Sequence, residues 1–214
     1  GATGSLTQEQ GRDIAARAVL PADPPADLPH WDRDRAAICA RIRKNPARLK
    51  VVLKTCNEDL MLPVWIAHYR KFLAPHEIII ADNMSVSPGV HALYRSLAPD
   101  LLVFQYAADR RHGFHNVVHD RTIFSDLYAA LADSCDHTLF IDSDELLVLT
   151  HDDTWTTDRA ELETILERHT GRALATAWVE AVPGSFDTCY LGSDRQRLKN
   201  YLAWGKPIVP ITFK

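Results

Sequence analysis

Hydrophobic positions beyond residue 48 alternate between two rhythms, short apolar runs and longer stretches with helical spacing. Leu49-Lys-Val-Val-Leu-Lys-Thr-Cys56 is apolar and β-branched and predicts a strand. Asn57-Glu58-Asp59 then supplies capping residues and early negative charge for a helix with Pro63 in its first turn and Leu62, Trp65, Ile66, Tyr69, Phe72 and Leu73 on one face. His76-Glu-Ile-Ile-Ile-Ala81 predicts a second strand ending in Asp82-Asn83. Val90 to Leu97 predicts a helix, and Leu101-Leu-Val-Phe-Gln-Tyr106 a third strand. A long amphipathic helix is expected from Val117 to Asp133. A fourth strand, His137-Thr-Leu-Phe-Ile141, runs into Asp142-Ser-Asp-Glu145.

Strand and helix alternating at these short spacings predict an α/β fold with a mostly parallel sheet and helices on both faces. Before it, Arg33 to Lys44 has helical spacing and stops near Asn45-Pro46. Gln8 to Val19 predicts a short helix, and Leu20 to Pro29 contains four prolines, which disfavour helix and central strand alike. Residues 1–30 are therefore read as a leading segment and linker, and 31–214 as one domain. Gly1-Ala-Thr-Gly-Ser5 lacks an initiator Met and reads as an artificial remnant.

Composition narrows the class. With 214 residues, 46% hydrophobic and 24% charged, the chain is long and apolar enough to bury a core. A net charge of −4 argues against a nucleic-acid binder that relies on a basic surface. No apolar run approaches the roughly 20 residues needed to cross a bilayer, so no transmembrane segment is expected. The expected setting is cytoplasmic or peripheral at a membrane. Cys39, Cys56, Cys135 and Cys189 are far apart with no C-x-x-C pair and read as reduced, mostly buried thiols.

In parallel sheets ligands bind outside the carboxyl ends of the strands. Polar clusters at 55–59, 82–87 and 142–145 all fall there. If the fourth strand continued through Asp142-Ser-Asp144, both aspartates would lie on one side of it. Two carboxylates about 5 Å apart repel by roughly 3 kcal/mol at an effective dielectric near 20. A hard divalent cation, Mn²⁺ or Mg²⁺, would offset that repulsion and keep positions open for phosphate oxygens. The plainer reading is a solvated turn. The loop 109–116 with His119 and Arg121 is the most basic stretch of the chain. His112 and His115 have no further ligand at zinc spacing.

Four motifs in order carry a resemblance: Lys54-Thr-Cys-Asn-Glu-Asp59, Trp65-Ile-Ala-His-Tyr69, Ile78-Ile-Ile-Ala-Asp-Asn83 followed by Ser85, and Phe140-Ile-Asp-Ser-Asp-Glu145. Together, over residues 49–150, they resemble the family-2-like glycosyltransferases of GT-A fold, in the branch with a D-x-D-E-hydrophobic motif. The resemblance implies a nucleotide-diphosphate sugar, with UDP-sugar favoured, lying across the carboxyl edge of the sheet. Thr55, Asn57 and Glu58 would line the nucleotide, Asp82 would hydrogen-bond base or ribose, and Asn83 would either shape the turn or touch ligand. Asp142 and Asp144 would hold the diphosphate through Mn²⁺ or Mg²⁺, and Arg121 would point into the donor cleft. A carboxylate accepts readily from ribose hydroxyls but repels phosphate unless a cation intervenes, which is why Asp82 suits the uncharged end of the donor and the 142/144 pair the charged end.

Inverting transfer also needs a base for the acceptor hydroxyl, and Glu180 and Asp187 are alternative candidates, with Glu145 less suited beside the implied metal. The acceptor, whether glycan, lipid-linked or protein, is not readable. Relatives of this type continue past the apparent last strand Pro207 to Lys214, so a chain truncated at its carboxyl terminus is expected. Two other readings stand beside the transferase: a catalytically incomplete binding or scaffold domain, and an aspartate-based phosphatase. The phosphatase pattern wants Thr or Val where this chain has Leu146.

Overall fold

The computed structural model describes residues 28–107, 117–151 and 154–174, together with the short strands 177–179, 182–183, 189–190, 202–204 and 209–210. The expected helix Gln8–Val19 and the proline segment up to Asp27 lie outside them. Helix α1 (Trp31–Lys44) leads into β1 (Ala47–Thr55), α2 (Met61–Tyr69), β2 (Ile78–Asp82), α3 (Pro88–Leu97), β3 (Leu102–Gln105), α4 (Ser125–Ala132) and β4 (Cys135–Asp142). Then follow a hairpin of β5 (Leu149–His151) and β6 (Thr154–Thr156), and α5 (Arg159–Arg168).

The four strands β1 to β4 are parallel and lie in the order β4-β1-β2-β3, with the two-residue strand Val209–Pro210 added antiparallel beside β4. The chain starts in the middle with β1, moves outward through β2 to β3, then returns to the other side of β1. The order in which strands are added therefore reverses between β1 and β4. In open parallel sheets a reversal of this kind marks the place where ligands bind, outside the carboxyl ends of the two strands.

Side-chain alternation along the strands divides the core in two. On one face Val51, Leu53, Ile78, Ile80, Val103, Leu139 and Ile141 pack against α2, α3 and α5 through residues such as Trp65, Tyr69, Tyr94 and Leu162. On the other, Val52, Ile79, Ala81, Leu102 and Phe104 meet α1 and α4 through Trp31, Ile38, Phe124, Leu127 and Leu131. Burial on both faces explains why these strands read as continuous apolar runs rather than as strict alternation. Each large side chain so buried contributes on the order of 1.5–3 kcal/mol.

Two local expectations are corrected. The 57–59 segment does not cap α2: the helix starts after Leu60, no side chain caps it, and Asn57 is left-handed at φ 56°. The expected long helix from Val117 to Asp133 is a 3₁₀ turn at Val117–His119 followed, after a break, by α4. The break has a local cause, since the Asp120 carboxylate accepts from the Thr122 amide (2.8 Å) and hydroxyl (2.6 Å) and closes a turn where the helix would have continued. Among the described cysteines, Cys39, Cys56 and Cys135 are free thiols; Cys39 is buried, the other two half-buried. No helix among the described residues is long and apolar enough to cross a membrane.

Candidate functional site

At the carboxyl edge, β1 and β4 are in register so that Lys54 lies opposite Asp142. Both project to the face shared with Val52 and Phe140, and the Lys54 ammonium lies 3.1 Å from Asp142 Oδ1. Lys54 is 5% exposed and Asp142 37%. A lysine with its stem in the core and its charge at the strand end is a fixed positive group aimed at the crevice. One residue on, Thr55 projects to the opposite face; it is buried and its Oγ1 has no hydrogen-bond partner among the described residues.

The loops after β1 and β2 are stitched into one surface. Asn57 Oδ1 accepts from the amides of Val86 (2.7 Å) and Ser87 (3.0 Å), and its own amide donates to Ser85 Oγ at 2.7 Å. The Asn83 amide donates to the Thr55 carbonyl at 2.8 Å. A left-handed backbone suits Asn at 57, because its short amide side chain offsets the strain locally. The Ser87 hydroxyl donates to Asp59 beside the start of α3. A Cβ on Gly89 would lie 2.5 Å from Asp59 Oδ1, so glycine leaves the room that lets this acid meet the positive end of α3.

Asp82 is fully buried, and no cation among the described residues is paired with it. Oδ1 accepts from the hydroxyls of Ser85 and Tyr94 (2.9 Å for Tyr94), and Oδ2 from the Ser85 amide (2.8 Å) and the Gln105 side-chain amide (3.2 Å). Donors of this number can hold a buried carboxylate that no charge neutralises. Burial and the Asp82 charge push the Tyr94 phenol far above its ordinary range. A ribose or base would have to displace one of these bonds to reach Asp82.

The carboxyl end of α2 and the acidic motif also meet. His68 Nε2 lies 2.7 Å from the Leu147 carbonyl, and the Tyr69 hydroxyl accepts from the Leu147 amide at 2.9 Å and faces the Glu145 carbonyl at 3.4 Å. His68 and Tyr69 therefore fix the backbone that follows Asp142-Ser-Asp-Glu145. Burial lowers the His68 pKa, so the neutral ring donates to Leu147.

Comparisons with family models, curated proteins and solved structures give no match. The chemistry of the site thus rests on its own geometry.

β4 ends at Asp142, and Ser143 and Asp144 form a turn closed by the Glu145 amide on the Asp142 carbonyl at 3.2 Å. The condition for period-two placement of both aspartates is not met, and Lys54 already offsets the charge of Asp142. Glu145 Oε2 accepts from the Asp142 amide at 3.0 Å, while Asp144 is exposed. Among the described residues no group of three or more His, Cys, Asp or Glu is gathered as a metal nest. The oxygen donors of Asp142 and Asp144 fit Mg²⁺ or Mn²⁺ in one mode, with one or two carboxylates and the remaining positions filled by phosphate and water.

Arg121 is exposed, with its guanidinium 5.1 Å over the Tyr128 ring, which stacks on Phe140 at 5.4 Å. Glu180, Asp187 and the loop 109–116 lie outside the described residues. A cavity of about 260 Å³ lies at the opposite end of the sheet, among Arg41, Lys44, His76 and Asp100, and takes in none of the residues above.

Sequence reasoning passed over Lys54, Tyr94, Gln105 and Tyr106. Its usable signal was polarity in the wrong place: Lys50 and Lys54 interrupt a strand that is otherwise buried. Tyr106, one residue past β3, is 1% exposed and its hydroxyl has no partner among the described residues.

Proposed function

We propose that this chain is a GT-A-like glycosyltransferase domain. It takes a nucleotide-diphosphate sugar, with UDP-sugar as the favoured donor, and passes the sugar to an acceptor hydroxyl with inversion. One observation carries the reading: at the reversal of strand order, β1 and β4 present Lys54 and Asp142 as a partly open charged pair, next to loops bound together through Asn57 and Asn83. The resemblance of the four motifs supports the same reading, as do the starts of α2 and α3 at this edge, where helix dipoles favour anions.

In this reading the nucleoside lies over Thr55, Asn57 and Glu58, and the diphosphate lies toward Asp142. Mn²⁺ or Mg²⁺ held by Asp142 and Asp144 would neutralise the departing diphosphate. Lys54 holds the Asp142 carboxylate at the mouth of the crevice. The acceptor oxygen gives its proton to a carboxylate, Glu180 or Asp187, bonds to the anomeric carbon, and the bond from that carbon to the diphosphate breaks. A cytoplasmic or membrane-peripheral setting belongs to the same proposal.

The deciding experiment is a thermal-shift panel of UDP, GDP, ADP, CDP and dTDP, with manganese and with EDTA. A ligand at a hundred times its Kd stabilises by about 2.7 kcal/mol, so a true donor nucleotide stands out, and its shift should vanish in EDTA. No shift with any of them overturns the reading. Binding without transfer to any acceptor would favour the scaffold role, and phosphate release from a generic aryl phosphate the phosphatase.

A further inference from the structure

The hydroxyl of Tyr106 is a buried polar group with no hydrogen-bond partner among the described residues. Native proteins leave few such groups, and each calls for an explanation. The Tyr106 amide donates to the Asp82 carbonyl at 2.9 Å, which pins the residue at the carboxyl edge. Its ring meets Phe124 edge-on at 5.6 Å, on the face that also carries Lys54 and Asp142. Between β3 and β1 the residue of β2 on that face is Ala81, which is small and buried in the same cluster. Burial first, then Asp82, Cys56 and Asp142, raise the pKa of the Tyr106 hydroxyl, so the group stays a protonated donor. The nearby acceptors are engaged: Asp82 accepts from Ser85, Tyr94 and Gln105, and Asp142 is paired with Lys54.

We propose that the Tyr106 hydroxyl is a ligand-contacting group that donates its hydrogen bond to an oxygen of the bound nucleoside diphosphate. The inference rests on the nucleotide-sugar reading and adds to it a residue from β3, the strand farthest from the acidic motif.

The test is isothermal titration of wild type and Tyr106→Phe with whichever of UDP, GDP, ADP, CDP and dTDP binds wild type most tightly in manganese. Loss of one donor to a charged oxygen should weaken binding roughly 5- to 30-fold. The unliganded melting temperature should stay the same or rise, because an unpaired buried hydroxyl has been removed. Phe124→Leu alters the packing of the same ring while keeping the hydroxyl, and should change affinity far less. Equal affinities for wild type and Tyr106→Phe overturn the proposal and leave the nucleotide reading standing. A loss in Phe124→Leu as large as in Tyr106→Phe assigns the effect to packing and also overturns it. If no nucleotide binds wild type, both fall.

Discussion

Near the amino end of the sheet, Lys50 and Glu77 are buried, and each ends on a partner within the chain. The Lys50 amine donates to the Ile42 carbonyl, and burial pushes its pKa down. Glu77 takes both arms of the Arg159 guanidinium, at 2.7 and 2.9 Å, and the Ala74 amide at 2.6 Å. At the carboxyl end the same strands carry Lys54, Thr55, Asp82, Asp142 and Tyr106. There one charged pair is partly open, and two hydroxyls, of Thr55 and Tyr106, are buried without partners among the described residues. His137 shows that the division is one of degree, since its Nδ1 is also unpartnered. The contrast separates groups that the fold uses up from groups that the fold leaves available. A sheet end whose polar atoms are all satisfied internally adds stability, whereas one that departs from this rule is where local consistency yields to binding.

Asp82 is the sharpest place to break this comparison, because it lies at the carboxyl end, where binding is proposed, yet is satisfied like the groups at the other end. Asp82→Ala strands the Ser85, Tyr94 and Gln105 donors and should cost about 4 kcal/mol in urea denaturation. A cost under about 1 kcal/mol would show that the loop does not depend on Asp82 and would return the carboxylate to the ligand. Next in size, Asp142→Ala combined with Asp144→Ala should weaken manganese-dependent nucleotide binding about 100-fold, which is about 2.7 kcal/mol, with the fold intact by circular dichroism. Unchanged affinity would reject the two aspartates as the phosphate corner. At the amino end, Glu77→Ala should cost about 2 kcal/mol, below the range for a fully buried pair because the Arg159 side chain is 43% exposed and can rehydrate. Nucleotide affinity should not change there; a large loss would mean that the two ends are energetically one unit.

The parallel sheet was legible because strands buried on both faces leave near-continuous apolar runs, as in Ile78-Ile-Ile-Ala81. Strand order was not legible, since it depends on which face each helix covers, and that is decided by tertiary packing. The helix expected across 117–133 failed on a single competitor, the Asp120 side chain, whose hydrogen bonds to Thr122 outweigh a favourable hydrophobic period. The strand-end polarity that located the site was readable, but its pairing was not. Lys54 and Asp142 meet only through sheet register, and nothing local to either residue signals the other. Tyr106 escaped for the opposite reason: an aromatic at a strand end reads as core, and only the missing partner of its hydroxyl sets it apart.

His68 gives the smallest effect and the finest test of how the acidic motif is held. Its folded pKa lies below the ordinary histidine value, first because the ring is buried and secondarily because Lys71 is near, while the bond to the Leu147 carbonyl works the other way. The unfolded chain therefore binds a proton near pH 6.5 that the folded chain does not. Stability from this group is fully present above that pH and is lost as pH falls through the lower folded pKa. Protonation leaves the bond to the Leu147 carbonyl in place, since Nε2–H donates in either state, so the loss comes from placing a charge in a half-buried pocket beside Lys71. His68→Gln keeps a donor for Leu147 but has no proton to gain. Urea denaturation at pH 7, 6 and 5 should then show a shallower decline for the variant than for wild type. Parallel declines would mean that the ring stays neutral at no cost, and that the segment after Asp142 is fixed by Tyr69 alone.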